Sequence, residues 1–289
     1  MEHASAFTPS VLMQWRKREN LLPGLALLML TVGGWAYIIY QARTMGSMEA
    51  MNGARISTMG GFAPFVLGWT AMMVAMMIPA TLPLILLYRT VTRQRLSPIP
   101  ARVGTTALLI GYIAVWAVAG LPTYVYALTA QTMGRFAVVL PAVLLVIGGV
   151  YQFTSLKRSC HARCSNPLFF LMHKWKPGTA GALRLGVLHG IDCLGCCAGL
   201  MIGLVALGMM NLALVFTAAL IIFAEKTLPE GHRIAPTLGF VMIVGGVAFF
   251  GFSLLGGMQA EMEPAVEEPG MPAIEDSTET MDEAGMESM

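Results

Sequence analysis

Charged residues make up only 12% of this 289-residue chain, about half of the roughly 25% a soluble domain carries. With 56% hydrophobic residues, that shortage excludes a protein wetted on every side. No segment reads as a separate soluble domain. The P-loop, the Rossmann fingerprint, the H-E-x-x-H zinc motif and any Ser/His/Asp set are missing. Nucleotide-driven work and the common hydrolase chemistries therefore have no visible machinery. Whether the chain is an enzyme stays open at this point, with a non-enzyme preferred. Basic residues interleave with no aromatic platform, so nucleic acid is not expected as a partner. Cysteine occurs five times only, and all five fall in one stretch: Cys160-His161-x-x-Cys164, then His189-x3-Cys193-x2-Cys196-Cys197.

What is present in quantity is apolar sequence. Runs of about 20 apolar residues suit a bilayer crossing, and seven candidates appear. They lie near Leu22–Tyr40, Phe62–Tyr88, Thr105–Leu128, Phe136–Phe153, Leu183–Met209, Asn211–Ala224 and Ile234–Leu255. The fifth and sixth touch end to end and predict a hairpin turning at Gly208-Met209-Met210-Asn211. The sixth is short, which leaves six spans as the alternative count. The first follows Arg16-Lys17-Arg18 without a small-residue cleavage site and reads as an uncleaved anchor. The expected fold is all-α: a polytopic transmembrane helix bundle over residues 22–256, a cytoplasmic segment at 1–21, and a disordered tail at 257–289.

Basic residues orient that bundle through the positive-inside rule. With the N-terminus inside, 15 of the 18 Lys and Arg residues face the cytoplasm. Only Arg43, Arg55 and Arg135 fall outside. Seven spans, N-in and C-out, in a bacterial inner membrane is the topology this predicts.

Methionine occurs 23 times. Met45, Met48 and Met51 recur in the first outside loop, and the tail adds more methionines beside ten of the chain's 16 acidic residues. Low hydrophobicity and high charge make that tail a disordered segment. Thioethers are soft ligands suited to Cu(I), so Met45, Met48 and Met51 are candidate capture residues. In buried helices the plainer role of methionine is adaptable packing.

Helical spacing organises the rest. His189, Asp192, Cys193, Cys196 and Cys197 stand at i, i+3, i+4, i+7 and i+8, one face of a helix. A carboxylate, an imidazole and three thiols cannot face lipid cheaply, so this stripe is expected to line the bundle interior. Met72, Met73, Met76 and Met77 repeat the spacing on the second span, at a similar expected depth. Cys160 and Cys164 follow the fourth span on the inner side, one helical turn apart. In C-H-x-x-C the order is not that of covalent haem attachment.

Three readings of the thiols stay open. They hold a soft metal, Cu(I) or zinc; they exchange thiol and disulfide, with Cys193 and Cys196 as a C-x-x-C pair; or they are buried packing. Clustering argues against the last, and an odd count suits ligation better than paired disulfides. The expected metal set is Cys160, Cys164, His189, Cys193, Cys196, Cys197, Met72, Met73, Met76 and Met77, with Asp192, His161 and Met201 behind it. Glu225 and Lys226 read as an interfacial ion pair, the lysine snorkelling to the surface.

Three elements taken together resemble a known family. They are Trp69-x2-Met72-x2-Ala75-Met76-Met77-x-Pro79, then Tyr151-Gln152-x3-Leu156-Lys157-x2-Cys160-x3-Cys164-x2-Pro167. The third is Cys193-x-Gly195-Cys196-Cys197-x2-Leu200-Met201, followed by Gly208-x-Met210-Asn211 and Glu225-Lys226-x2-Pro229. The pattern is similar to that of a bacterial family of uncharacterised integral membrane proteins, predicted to bind metal. It runs from about Gly68 to Pro229 and implies a metal site within the membrane domain, without implying a reaction. His189 and the methionine-rich tail lie outside the pattern.

The reading that results is a membrane protein that binds copper and acts in its transport, delivery or homeostasis. Its partners would be the bilayer, the metal ion and a membrane or periplasmic metalloprotein. The alternatives are a membrane thiol-disulfide oxidoreductase and a structural or assembly subunit.

Overall fold

The computed structural model describes residues 18–44, 61–95, 98–130, 136–208, 211–228 and 230–262. Among the described residues there is no strand, and nine α-helices follow one another. They are α1 (Arg18–Thr44), α2 (Phe62–Arg95), α3 (Pro98–Ala130), α4 (Phe136–Tyr151), α5 (Ser155–Cys164), α6 (Pro167–Lys174), α7 (Gly178–Leu207), α8 (Leu212–Thr227) and α9 (Ile234–Met262). A short 3-10 turn, Gly231–Arg233, precedes α9. Residues up to Ser253 form one unit, and the end of α9 from Leu254 belongs to a second.

Each of the seven expected apolar segments coincides with a helix. Four of these, α2, α3, α7 and α9, are long and apolar enough to cross a membrane. Helices α4 and α5 make a fifth if the pair, bent by 67°, is one broken span. In α1 the apolar part is the shorter Gly24–Tyr40. Helix α8 has 16 residues, about 24 Å at 1.5 Å per residue, against roughly 30 Å of hydrocarbon. Outward-facing side chains on α9, such as Phe240, Val241, Val247 and Phe252, are exposed and apolar.

Two stretches differ from expectation. Residues 165–182, expected as a loop, hold α6 and the start of α7. Asn166 caps α6 by accepting from the Phe169 N–H, and Pro167 opens it, the position where a missing N–H is harmless. Helix α9 also continues to Met262, past the boundary expected at 256. The helix passes through Gly256-Gly257, and Met258, Gln259, Ala260, Glu261 and Met262 beyond them are good helix formers.

Helix α7 is the hub, packed against α3, α4, α5 and α8. Its closest approach is to α3. A Cβ on Gly186 would fall against the Leu108 carbonyl, and one on Gly111 against that of Leu183. Small residues let two backbones come this near within a membrane bundle. Trp69 pins α2 to α3 by donating its indole N–H to the Trp116 carbonyl at 2.9 Å.

The fourth helix ends in a tightened turn, with the N–H groups of Gln152, Phe153 and Thr154 reaching the carbonyls three residues back. Thr154 then starts α5 as its cap, its hydroxyl accepting from the Lys157 N–H at 3.3 Å. The 67° bend lays α5 against α7.

Gly186→Leu should destabilise the bundle by about 1–3 kcal/mol through overpacking, read as a lower unfolding temperature in detergent. Gly33→Ala, where a Cβ meets nothing within 4 Å, should not lower that temperature and should raise it slightly, since alanine is the better helix former.

Candidate metal centre

The α7 stripe points inward along its whole length. His189, Asp192, Cys193, Cys196 and Cys197 are all buried, the three thiols at 1% exposure or less. The bend after α4 brings the second thiol group to them. Cys160 and Cys164 are buried on α5, and both belong to one buried cluster with Cys193, Cys196 and Cys197. Cys160 sits over Gly195, where a Cβ would lie 2.6 Å from its Sγ. Tyr151 closes the same corner by donating its hydroxyl to the Gly195 carbonyl at 2.7 Å.

Thus the two cysteine groups, 29 residues apart between Cys164 and Cys193, meet in space. Met72, Met73, Met76, Met77 and Met201 belong to the same core cluster as the five thiols. Met45, Met48 and Met51 lie outside the described residues.

Lys226 is the residue that sequence reasoning misplaced. It does not snorkel and does not pair with Glu225. It is 4% exposed, and its Nζ donates to Cys193 Sγ at 2.9 Å, with Met77 Sδ at 3.9 Å. Tyr112 Oη lies 3.1 Å from the same Cys193 sulfur. The reason is periodicity: Val215, Ala219, Ile222 and Lys226 are spaced by four, three and four, one buried face of α8. That spacing was available in the sequence as the signal for an inward lysine.

Glu225 pairs with Lys157 instead, both carboxylate oxygens accepting from Nζ at 3.1 Å, with each side chain 3% exposed. His161, expected behind the thiols, turns to the Glu225 carbonyl at 2.9 Å. A carbonyl only accepts, so Nε2 carries the proton. Asp192 accepts from Arg163 Nε at 2.8 Å, while Arg163 Nη2 lies 3.5 Å from Cys160 Sγ. Asp192 thus reaches a thiol through a guanidinium. His189 packs between Tyr112 and Phe170, at ring distances of 5.8 and 5.3 Å, and neither ring nitrogen has a hydrogen-bond partner.

Among the described residues, no three Cys, His, Asp or Glu side chains are arranged to hold one ion. Two thiols are turned back on their own helix: Cys196 and Cys197 donate to the Cys193 carbonyl at 3.1 and 3.0 Å. A third, Cys193, faces the Lys226 ammonium. The donor chemistry is nonetheless soft throughout, thiols beside thioethers, which is the set that selects Cu(I).

Breaking the Lys157–Glu225 pair from one side should be severe. Glu225→Gln strands a buried ammonium, and such losses run to about 3–5 kcal/mol. Lys157→Met combined with Glu225→Leu should recover most of it, measured by thermal unfolding of the purified variants.

No curated protein and no solved structure matches the chain. A family described as PpoB2, copper chaperone, matches it over residues 66–249. That stretch begins in α2, includes both cysteine groups, the α2 methionines and Lys226, and ends within α9. It narrows the expected metal to copper. By this match over well over half of its length, the chain belongs to the PpoB2 copper chaperone family.

Proposed function

We propose that this chain is a polytopic protein of the bacterial inner membrane that takes up Cu(I) and hands it to a membrane or periplasmic metalloprotein. The observation that carries the reading is the convergence of five thiols from α5 and α7 with the α2 thioethers in one buried cluster. Family membership supports copper as the metal, and sulfur donors favour its reduced form.

In this reading Cys193, Cys196 and Cys164 hold the ion, Met77 and its neighbours on α2 accept it on arrival, and Cys160 receives or releases it beside Arg163. The methionines at 45, 48 and 51 collect copper on the outer side, with the N-terminus inside. His189, with both nitrogens unpartnered in the core, serves as a further ligand once the bundle adjusts. Rotation of the Cys196 and Cys197 side chains off the Cys193 carbonyl frees their sulfurs for the metal. Binding couples to deprotonation of those thiols, as for any thiolate site.

Shuttling electrons through these cysteines is less well supported. A dithiol relay needs a pair that its partner can reach, and all five sulfurs lie under at least 92% cover.

Protein purified in detergent under reducing conditions should bind Cu(I) stoichiometrically. Cys193→Ser combined with Cys196→Ser should lose that binding at least about a hundredfold, roughly the scale of losing a direct soft ligand to serine oxygen. Equal, substoichiometric copper in both proteins would refute the copper site. Copper-independent thiol oxidation coupled to a reductant would favour the redox alternative.

A further inference from the structure

Lys226 occupies a place where a lysine gains little. An ammonium removed from water needs a counter-charge or a full set of hydrogen bonds. The adjacent carboxylate, Glu225, is committed to Lys157. What faces Lys226 is sulfur from two helices, Cys193 of α7 at 2.9 Å and Met77 of α2 at 3.9 Å. Sulfur is a weak hydrogen-bond acceptor. The same pair of donors, a thiol and a thioether, is well suited to a soft monovalent ion.

We propose that Lys226 is a tethered stand-in cation: its ammonium fills the position between Cys193 and Met77 in the metal-free protein and swings out as Cu(I) takes that position. This rests on the Cu(I) reading above and adds the means of loading and release. One unit positive charge replaces another beside the Cys193 sulfur. Copper remains Cu(I), and no electron moves.

The lysine sits close to the end of its helix. It lies in the last turn of α8, and the chain turns extended at Leu228, so a flexible four-carbon stem reaches the helix end. The reverse motion matters equally for a protein that must give copper up. An ammonium returning to Cys193 displaces the ion as a partner draws it away, and spares the site an uncompensated buried anion.

The test uses full-length protein and a chromophoric Cu(I) chelator in competition. Lys226→Leu, apolar, without charge and without a donor atom for copper, should tighten Cu(I) binding about tenfold or more and slow transfer to the chelator. Unchanged or weakened affinity would overturn the proposal while leaving the copper site standing. Loss of binding in Cys193→Ser alongside intact wild-type binding checks that site separately. A wild-type protein that binds no Cu(I) removes both.

A second measurement needs no substitution. Amine acylation of the wild type, read by peptide mass spectrometry, should leave Lys226 protected without metal and modify it several-fold faster with Cu(I) bound. Lys157, equally buried but paired with Glu225, should stay protected in both. Lasting protection of Lys226 under Cu(I), or loss of protection at both lysines, would overturn the exchange.

Discussion

Helix α7 has to be crowded and reactive at once. It carries three thiols, an imidazole and a carboxylate into the core, yet α3, α4 and α5 all press against it. Both are satisfied because the close approaches fall where α7 has no side chain. Gly186 and Gly190 meet α3, Gly195 meets Cys160 of α5, and Gly199 meets Gly148 of α4. Close van der Waals fit of this kind is what small residues at helix interfaces provide. Every distance in the sulfur cluster depends on it.

Helix α5 is attached differently. Its sequence, Ser-Leu-Lys-Arg-Ser-Cys-His-Ala-Arg-Cys, offers little apolar surface to bury. It is held by charge and hydrogen bonding: Lys157 to Glu225, His161 to the Glu225 carbonyl, and Arg163 to Asp192. Two of these contacts converge on one residue of α8, next to Lys226. The helix that presents Cys160 and Cys164 is therefore tied to the helix that carries the buried ammonium, and movement at either is felt by the other.

Much of this was legible in the sequence. The seven apolar segments are helices because length and apolarity decide that locally. The α7 stripe faces inward because five polar positions share one helical face, and lipid would reject them. The meeting of Cys160 and Cys164 with that stripe was not legible. It depends on a break of three residues after Tyr151 and on a threonine cap, features that look like ordinary loop sequence. Lys226 was misread for a related reason. A lysine ending an apolar helix ordinarily reaches outward, and only its register with Val215, Ala219 and Ile222 shows that this one cannot. The partners of Asp192 and His161, Arg163 and a backbone carbonyl, were likewise not legible.

All five thiols lie beneath no more than 8% exposure. Oxidation and disulfide exchange require an accessible thiolate, so a dissolved oxidant meets no sulfur on the closed surface. The oxidation of these ligands is then scaled down by how rarely the bundle opens. A protein built this way can keep its sulfur reduced in oxidising surroundings, much as a stoppered vessel keeps its contents in open air.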